Sequence, residues 1–376
     1  MTTGRTSIIA GLLVGRDGPR FADVSIDGVR VADVSYSVAQ AGGDSRILAP
    51  GFVDLQVNGG WGMDFTAAPS TIWDVGERLT AHGVTSFLPT IVTAPYDVTA
   101  EAIAVMEAGP PSGYRGAKPL GLHIEGPWIS PEWSGAHNRA HLAVPDVEVA
   151  RDWAMSGMVA MVTIAPELSG AGEAARVLAE QGVVVAAGHS GADYETAVDA
   201  FDGSWDMATH LYNQMSPFRH RAPGMVGAVL SSRPFTGLIA DGLHCHPAAA
   251  RLAWDRLGHE RVVLVTDAMA ATGLQPGDYH LGDVDVTVDS DGPRTSDGRL
   301  AGSVLTMDEA VRNMSIWTGA DATSVLAAAT RTPAAALARR DIGRVKVGET
   351  ADLAVLSPRL EVLETVVRGE VVFTSG

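Results

Sequence analysis

Cys245 is the only cysteine among 376 residues. One thiol can form neither an internal disulfide nor a cysteine metal cluster, so any bound metal must be held by histidines and carboxylates. Flanked by two histidines, Cys245 reads as a small packed residue rather than a nucleophile. Positive charge is also short: 27 Lys and Arg stand against 44 Asp and Glu, a formal net charge of −17. A field of that sign repels nucleic acid and anionic membranes, and any anionic substrate must then meet a local cationic pocket. Long apolar runs and low-complexity tracts are missing. The N-terminal run at 8–14 is too short to span a bilayer and no small-residue cleavage site follows it, so no signal peptide is expected and a cytoplasmic address fits. What remains, 46% hydrophobic and 19% charged residues with mean hydropathy +0.12, is the composition of a well-buried globular enzyme.

The two ends of the chain share a texture. Alternating runs at 7–13, 21–27 and 29–34, broken by Gly and Asp turns, predict a small β unit over 1–49. Val- and Leu-rich runs at 351–356 and 360–373 predict the same over 341–376. Isolated hairpins are marginal, so the two ends are expected to pair into one small β-sandwich domain. Residues 50–340 differ, because short apolar runs alternate there with helix-length segments. Eight such runs, at 52–57, 84–90, 120–125, 159–165, 183–188, 207–210, 235–241 and 262–267, predict a (β/α)8 barrel of TIM type.

In such a barrel the reactive groups gather where the strands end. The residues at or just past these ends are Gln56 and Asn58, Thr90, Glu125, Glu167, His189, His210, Asp241 with His244, and Asp267. Glu125, His189 and His210 supply one carboxylate oxygen and two imidazole nitrogens. This three-ligand set suits zinc or another divalent metal and leaves one coordination position for a water whose pKa the cation lowers. Asp267 is then the general base for that water and the later acid to the leaving group. The competing readings are a solvated turn carboxylate for Glu125 and a turn cap for Asp267. His123 shares a strand face with Glu125 but lies one layer deeper, where packing is the expected role. His82 and His259 lie near predicted helix ends.

These residues carry a resemblance. The segments at 50–59, 121–128, 135–138, 188–190, 209–213, 240–244, 266–268 and 300–303 are together similar to N-acetylglucosamine-6-phosphate deacetylases of the amidohydrolase superfamily. The resemblance implies the barrel, the terminal β domain and a homodimer. It implies Glu125, His189 and His210 as metal ligands, Asp267 as catalytic acid/base, and His137 as the group that polarises the substrate's acetamide. Asn213 and His244 match substrate contacts. Arg221 matches an arginine that reaches the phosphate of a neighbouring subunit; by itself it reads as a solvated loop charge. The reaction implied is hydrolysis of N-acetylglucosamine 6-phosphate to glucosamine 6-phosphate and acetate.

The chain departs from the wider superfamily at its first strand, where a metal-binding His-x-His is replaced by Gln56 and Asn58. Neutral amides are poor ligands, so one metal per subunit is expected, zinc first and iron, cobalt or manganese as alternatives. Gln56 and Asn58 then hydrogen-bond near the water or the substrate. Gln214 stands where the family often has a small residue and Ala222 where it often has Glu, both in the sugar pocket. Two rival readings remain: an amidohydrolase acting on a different N-acyl amino-sugar phosphate, and a catalytically silent metal-dependent sensor.

Overall fold

The computed structural model describes residues 7–15, 18–37 and 46–376; residues 1–6, 16–17 and 38–45 of the expected 1–49 segment lie outside the described residues. Eight parallel strands are hydrogen-bonded in sequence order. They are β1 (Phe52–Val57), β2 (Val84–Val92), β3 (Leu122–Glu125), β4 (Val159–Ile164), β5 (Val184–Ala187), β6 (Met207–Ala208), β7 (Phe235–Ile239) and β8 (Val262–Val265). Each lies on one of the eight apolar runs. All nine residues of β2 are buried, as expected for a parallel strand covered on both faces.

The ring closes in two places. Just past the strand ends, Asp267 N donates to Gln56 O at 2.9 Å and Asn58 N to Ala268 O at 2.8 Å. Lower down, Leu264 N and Val53 N donate to Ala328 O and Ala329 O at 2.9 and 2.8 Å, so the chain after helix Ala322–Ala327 fills the seam between β8 and β1. Closure therefore sets Gln56, Asn58 and Asp267 side by side. The surrounding helices start and stop on local chemistry. Asp146 caps Val147–Ser156 by accepting from Glu148 N and Val149 N, and Gly157 ends that helix at φ 68.

The termini build one seven-stranded sheet, in which Ile47–Pro50 pairs parallel with Ser7–Gly15 and antiparallel with Leu353–Leu356. That joining strand was not expected, because its four buried residues run almost directly into β1. The sheet curls until Val31 N donates to Glu349 O at 2.9 Å, enclosing Ile9, Val24, Val31, Leu353, Val355 and Val366 in a core of their own. A second unexpected feature is a three-stranded antiparallel insert after β8, Gly277–Leu281, Val284–Asp289 and Gly292–Thr295. Its apolar face packs on Val92, Ala136 and Met269, beside the ends of the barrel strands. Among the described residues no helix is long and apolar enough to cross a membrane.

Phe52 opens β1 fully buried, and its ring lies so close to Gly83, at φ 78, that a Cβ there would come within 2.7 Å of it. Phe52→Ala should cost about 3–5 kcal/mol of stability, read from urea unfolding; a loss below about 1 kcal/mol contradicts this packing.

Candidate active site

Glu125 is the last residue of β3, while His189 and His210 lie two residues past β5 and β6. Glu125 Oε1 is 3.2 Å from His189 Nε2 and 3.0 Å from His210 Nε2, and the two nitrogens are 3.1 Å apart. His189 Nδ1 donates to Trp133 O at 2.9 Å, which turns Nε2 toward Glu125 and His210. Burial alone would raise the Glu125 carboxyl, but the hydrogen bonds and charges of His189 and His210 outweigh it and hold the group well below its usual range. Burial likewise works against a charged His210, and the hydrogen bond and charge of Glu125 reverse the direction and raise it. The three ligand atoms lie within 4.8 Å of one another. His210 Nδ1 finds no hydrogen-bond partner among the described atoms. One carboxylate oxygen and two imidazole nitrogens converging in a buried site fit a divalent metal ion.

Asp267 lies two residues past β8 in the left-handed region, at φ 52. Its Oδ1 accepts from Asn58 Nδ2 at 2.7 Å and from Gln56 Nε2 at 3.1 Å, and Gln56 Nε2 also donates to Glu125 Oε1 at 3.1 Å. Gln56 thus ties the two carboxylates together and Asn58 holds Asp267, neither adding charge. Burial, and then the charge of Glu125, push the Asp267 carboxyl up to about 6. A polar layer lies beneath. Asp54, pushed up to about 7 by burial, accepts from Thr266 Oγ1 at 2.6 Å. His123 Nε2 lies 2.8 Å from Thr163 Oγ1, and burial lowers this imidazole to about 4. Both residues are locked in the interior; Asp54 was not singled out from sequence.

The pocket above the triad is lined by Asn58, His137, Asn213, Gln214, His244 and Asp267, together with Arg294 and Arg299 of the insert. Thr93 N donates to His137 Nδ1 at 3.2 Å, so the ring proton sits on Nε2, which is 4.0 Å from Glu125 Oε2. Burial, and then the nearby His189, lower His137 to about 3, which makes it a neutral donor. Gly126, at φ 87, has no room for a side chain, because a Cβ would meet Thr93 Oγ1 at 2.1 Å. His244 Nδ1 donates to Asp241 Oδ2 at 2.7 Å. Gln56 is buried behind the carboxylates and does not line the pocket, and Arg221 is exposed on a loop outside the pocket of its own chain.

Sequence reasoning missed Thr93, the Trp133 carbonyl and both insert arginines. A signal for the arginines was present: they flank the Asp297-Gly298 turn just ahead of 300–303, one of the segments that carry the resemblance. Other polar groups resolve into structural roles. His82 Nδ1 pairs with Asp308 at 2.9 Å, and His246 caps Pro247–Leu257 by accepting from Ala248 N. Burial pushes the Cys245 thiol up to about 12, which rules it out as a nucleophile at neutral pH.

Residues 47–372 match the Amidohydrolase family. The chain belongs to that family. It is 42% identical over 351 residues to the N-acetylglucosamine-6-phosphate deacetylase of Homo sapiens, covering 87% of this chain and 84% of that protein. It is 37% identical over 352 residues to the N-acetylgalactosamine-6-phosphate deacetylase of Escherichia coli O157:H7, covering 92% of each. A mutant N-acetyl-D-glucosamine-6-phosphate deacetylase of Mycobacterium smegmatis, solved with N-acetyl-D-glucosamine-6-phosphate, aligns with TM-score 0.90 and 32% identity over 99% of this chain and 100% of that one.

For this amidohydrolase a pH dependence follows from Asp267. Its carboxyl is raised to about 6 in the folded chain, against about 3.9 in an unfolded one. Folding therefore favours the protonated form, and that stabilisation is complete below about pH 4 and lost as pH rises through about 6. In metal-free protein, Asp267→Asn should gain thermal stability relative to the wild type between those two pH values; a difference that does not change with pH contradicts the assignment.

Proposed function

We propose that this chain is a divalent-metal-dependent deacetylase that hydrolyses N-acetylglucosamine 6-phosphate to glucosamine 6-phosphate and acetate. The observation that carries this is the convergence of Glu125, His189 and His210 with Asp267 and His137 on one pocket. The names of the similar proteins support the substrate. A silent sensor would be expected to have lost Asp267 or a ligand, and all are in place.

Glu125, His189 and His210 would hold one ion, zinc by preference, supplying Lewis acidity to the attacking water and the acetamide carbonyl. Ionised Asp267, held by Asn58 and Gln56, takes a proton from that water. As the water oxygen bonds to the carbonyl carbon, His137 Nε2–H donates to the oxygen where negative charge develops. Asp267 then returns its proton to the amine nitrogen as the C–N bond breaks, releasing acetate and the amino sugar. Asn213, Gln214 and His244 face the sugar. Arg221, exposed on its loop, is assigned to the phosphate of a neighbouring subunit in a homodimer, and a cytoplasmic role in amino-sugar metabolism goes with a phosphorylated substrate.

Purified protein should release acetate from N-acetylglucosamine 6-phosphate, lose that activity on chelation and regain it with zinc. Asp267→Asn should lower kcat by about 10²–10⁴-fold while keeping its metal, whereas Glu125→Ala should lose both metal and activity. Undiminished acetate release from metal-free protein, or near-normal turnover by Asp267→Asn, contradicts the mechanism. Faster release from N-acetylgalactosamine 6-phosphate would move the substrate to that sugar, the reading carried by the Escherichia coli relative.

A further inference from the structure

The pocket has two cationic lining residues, Arg294 and Arg299, and both come from the insert rather than the barrel. A sugar phosphate carries a charge of about −1.5 to −2 near neutral pH. In a chain of formal net charge −17 its phosphate end needs a cation that is not already neutralised by a carboxylate.

The two arginines differ in this respect. Arg299 is committed, because Nε and Nη2 grip Asp297 at 2.9 and 2.6 Å and Nη1 donates to Gly135 O, holding the loop that leads to His137. Arg294 has no carboxylate within ion-pair distance among the described residues. Its Nη1 donates to Gly298 O at 2.8 Å; a guanidinium has further N–H donors, and these remain for a ligand.

Position singles out the same residue. Arg294 and Gly292 alternate onto one face of strand Gly292–Thr295. A Cβ on Gly292 would come within 2.7 Å of Leu243 Cδ1, so that face rests on the turn that carries His244. Asp241 occupies Nδ1 of His244, which leaves Nε2 for the pocket. The catalytic groups rise from the strand ends and Arg294 reaches in from the insert, so one sugar can present its acetamide to the former and its phosphate to the latter.

We propose that Arg294 is a further phosphate contact supplied within the same chain, beside the family-implied contacts His244 and Arg221. This rests on the deacetylase reading above. The guanidinium's planar fork suits a phosphate better than an ammonium does.

The test is steady-state deacetylation of N-acetylglucosamine 6-phosphate and of unphosphorylated N-acetylglucosamine by wild type, Arg294→Ala, Arg294→Lys and Arg221→Ala. Arg294→Ala should lose about 10- to 100-fold in kcat/KM on the phosphorylated sugar, mainly through KM. The unphosphorylated sugar should lose far less, and Arg294→Lys should recover part of the preference. Equal losses on both sugars, or an unchanged preference in Arg294→Ala beside a lost one in Arg221→Ala, would overturn the proposal while leaving the deacetylase reading intact. A wild type that releases no acetate from either sugar overturns both.

Discussion

Glu125 places a buried carboxylate oxygen 3.0–3.2 Å from two imidazole nitrogens that are themselves 3.1 Å apart, and the rest of the barrel mouth is arranged around that contact. Burying an ionised carboxylate is costly unless it is compensated. A proton on His210 Nε2 and a divalent ion are alternative ways of compensating the same charge, and the raised His210 and depressed Glu125 express the first of them. Since the bond from Nδ1 to Trp133 O orients the His189 ring, the loop after β3 is tied to the same cluster as the strands are.

The groups assigned to catalysis are tuned by this arrangement. Asp267 cannot share the charge of Glu125 freely, so burial and repulsion leave it a stronger base than an exposed aspartate. Gln56 and Asn58 hold it with neutral donors, where histidines would invite a second cation. His137 is tuned in the opposite direction: Thr93 fixes its tautomer and burial keeps it uncharged, so it donates a hydrogen bond without competing for the ligands. His189 and Asp267 both adopt positive φ, at 47 and 52. With Gln214, at φ 50, they make three non-glycine residues of one pocket in that region, which marks backbone held by its surroundings to aim particular side chains.

Much of this was readable along the chain, because a parallel barrel writes its strands as separate apolar runs and puts functional side chains at fixed offsets from their ends. Glu125, His189, His210 and Asp267 stand at those offsets. What escaped was whatever depended on closure or on an insertion. Gln56 was expected near the water or the substrate, and its place between two carboxylates depends on closure. Ile47–Pro50 merged with the run that follows it. The period-2 alternation of Val284–Asp289, with Val286 and Val288 buried, was present but lay inside a segment read as barrel, and so Arg294 was passed over. Tautomers were out of reach from sequence, because those of His189 and His137 are set by a carbonyl and an amide of distant loops.

One ion among Glu125, His189 and His210, with none shared by Gln56 and Asn58, is what distinguishes a one-metal site from a two-metal one. Anomalous diffraction from crystals of zinc-loaded protein measures this directly. For a one-metal site a single strong peak is expected about 2.0–2.2 Å from Glu125 Oε1, His189 Nε2 and His210 Nε2. A peak away from these atoms, or a second of equal height beside Gln56 and Asn58, would contradict it.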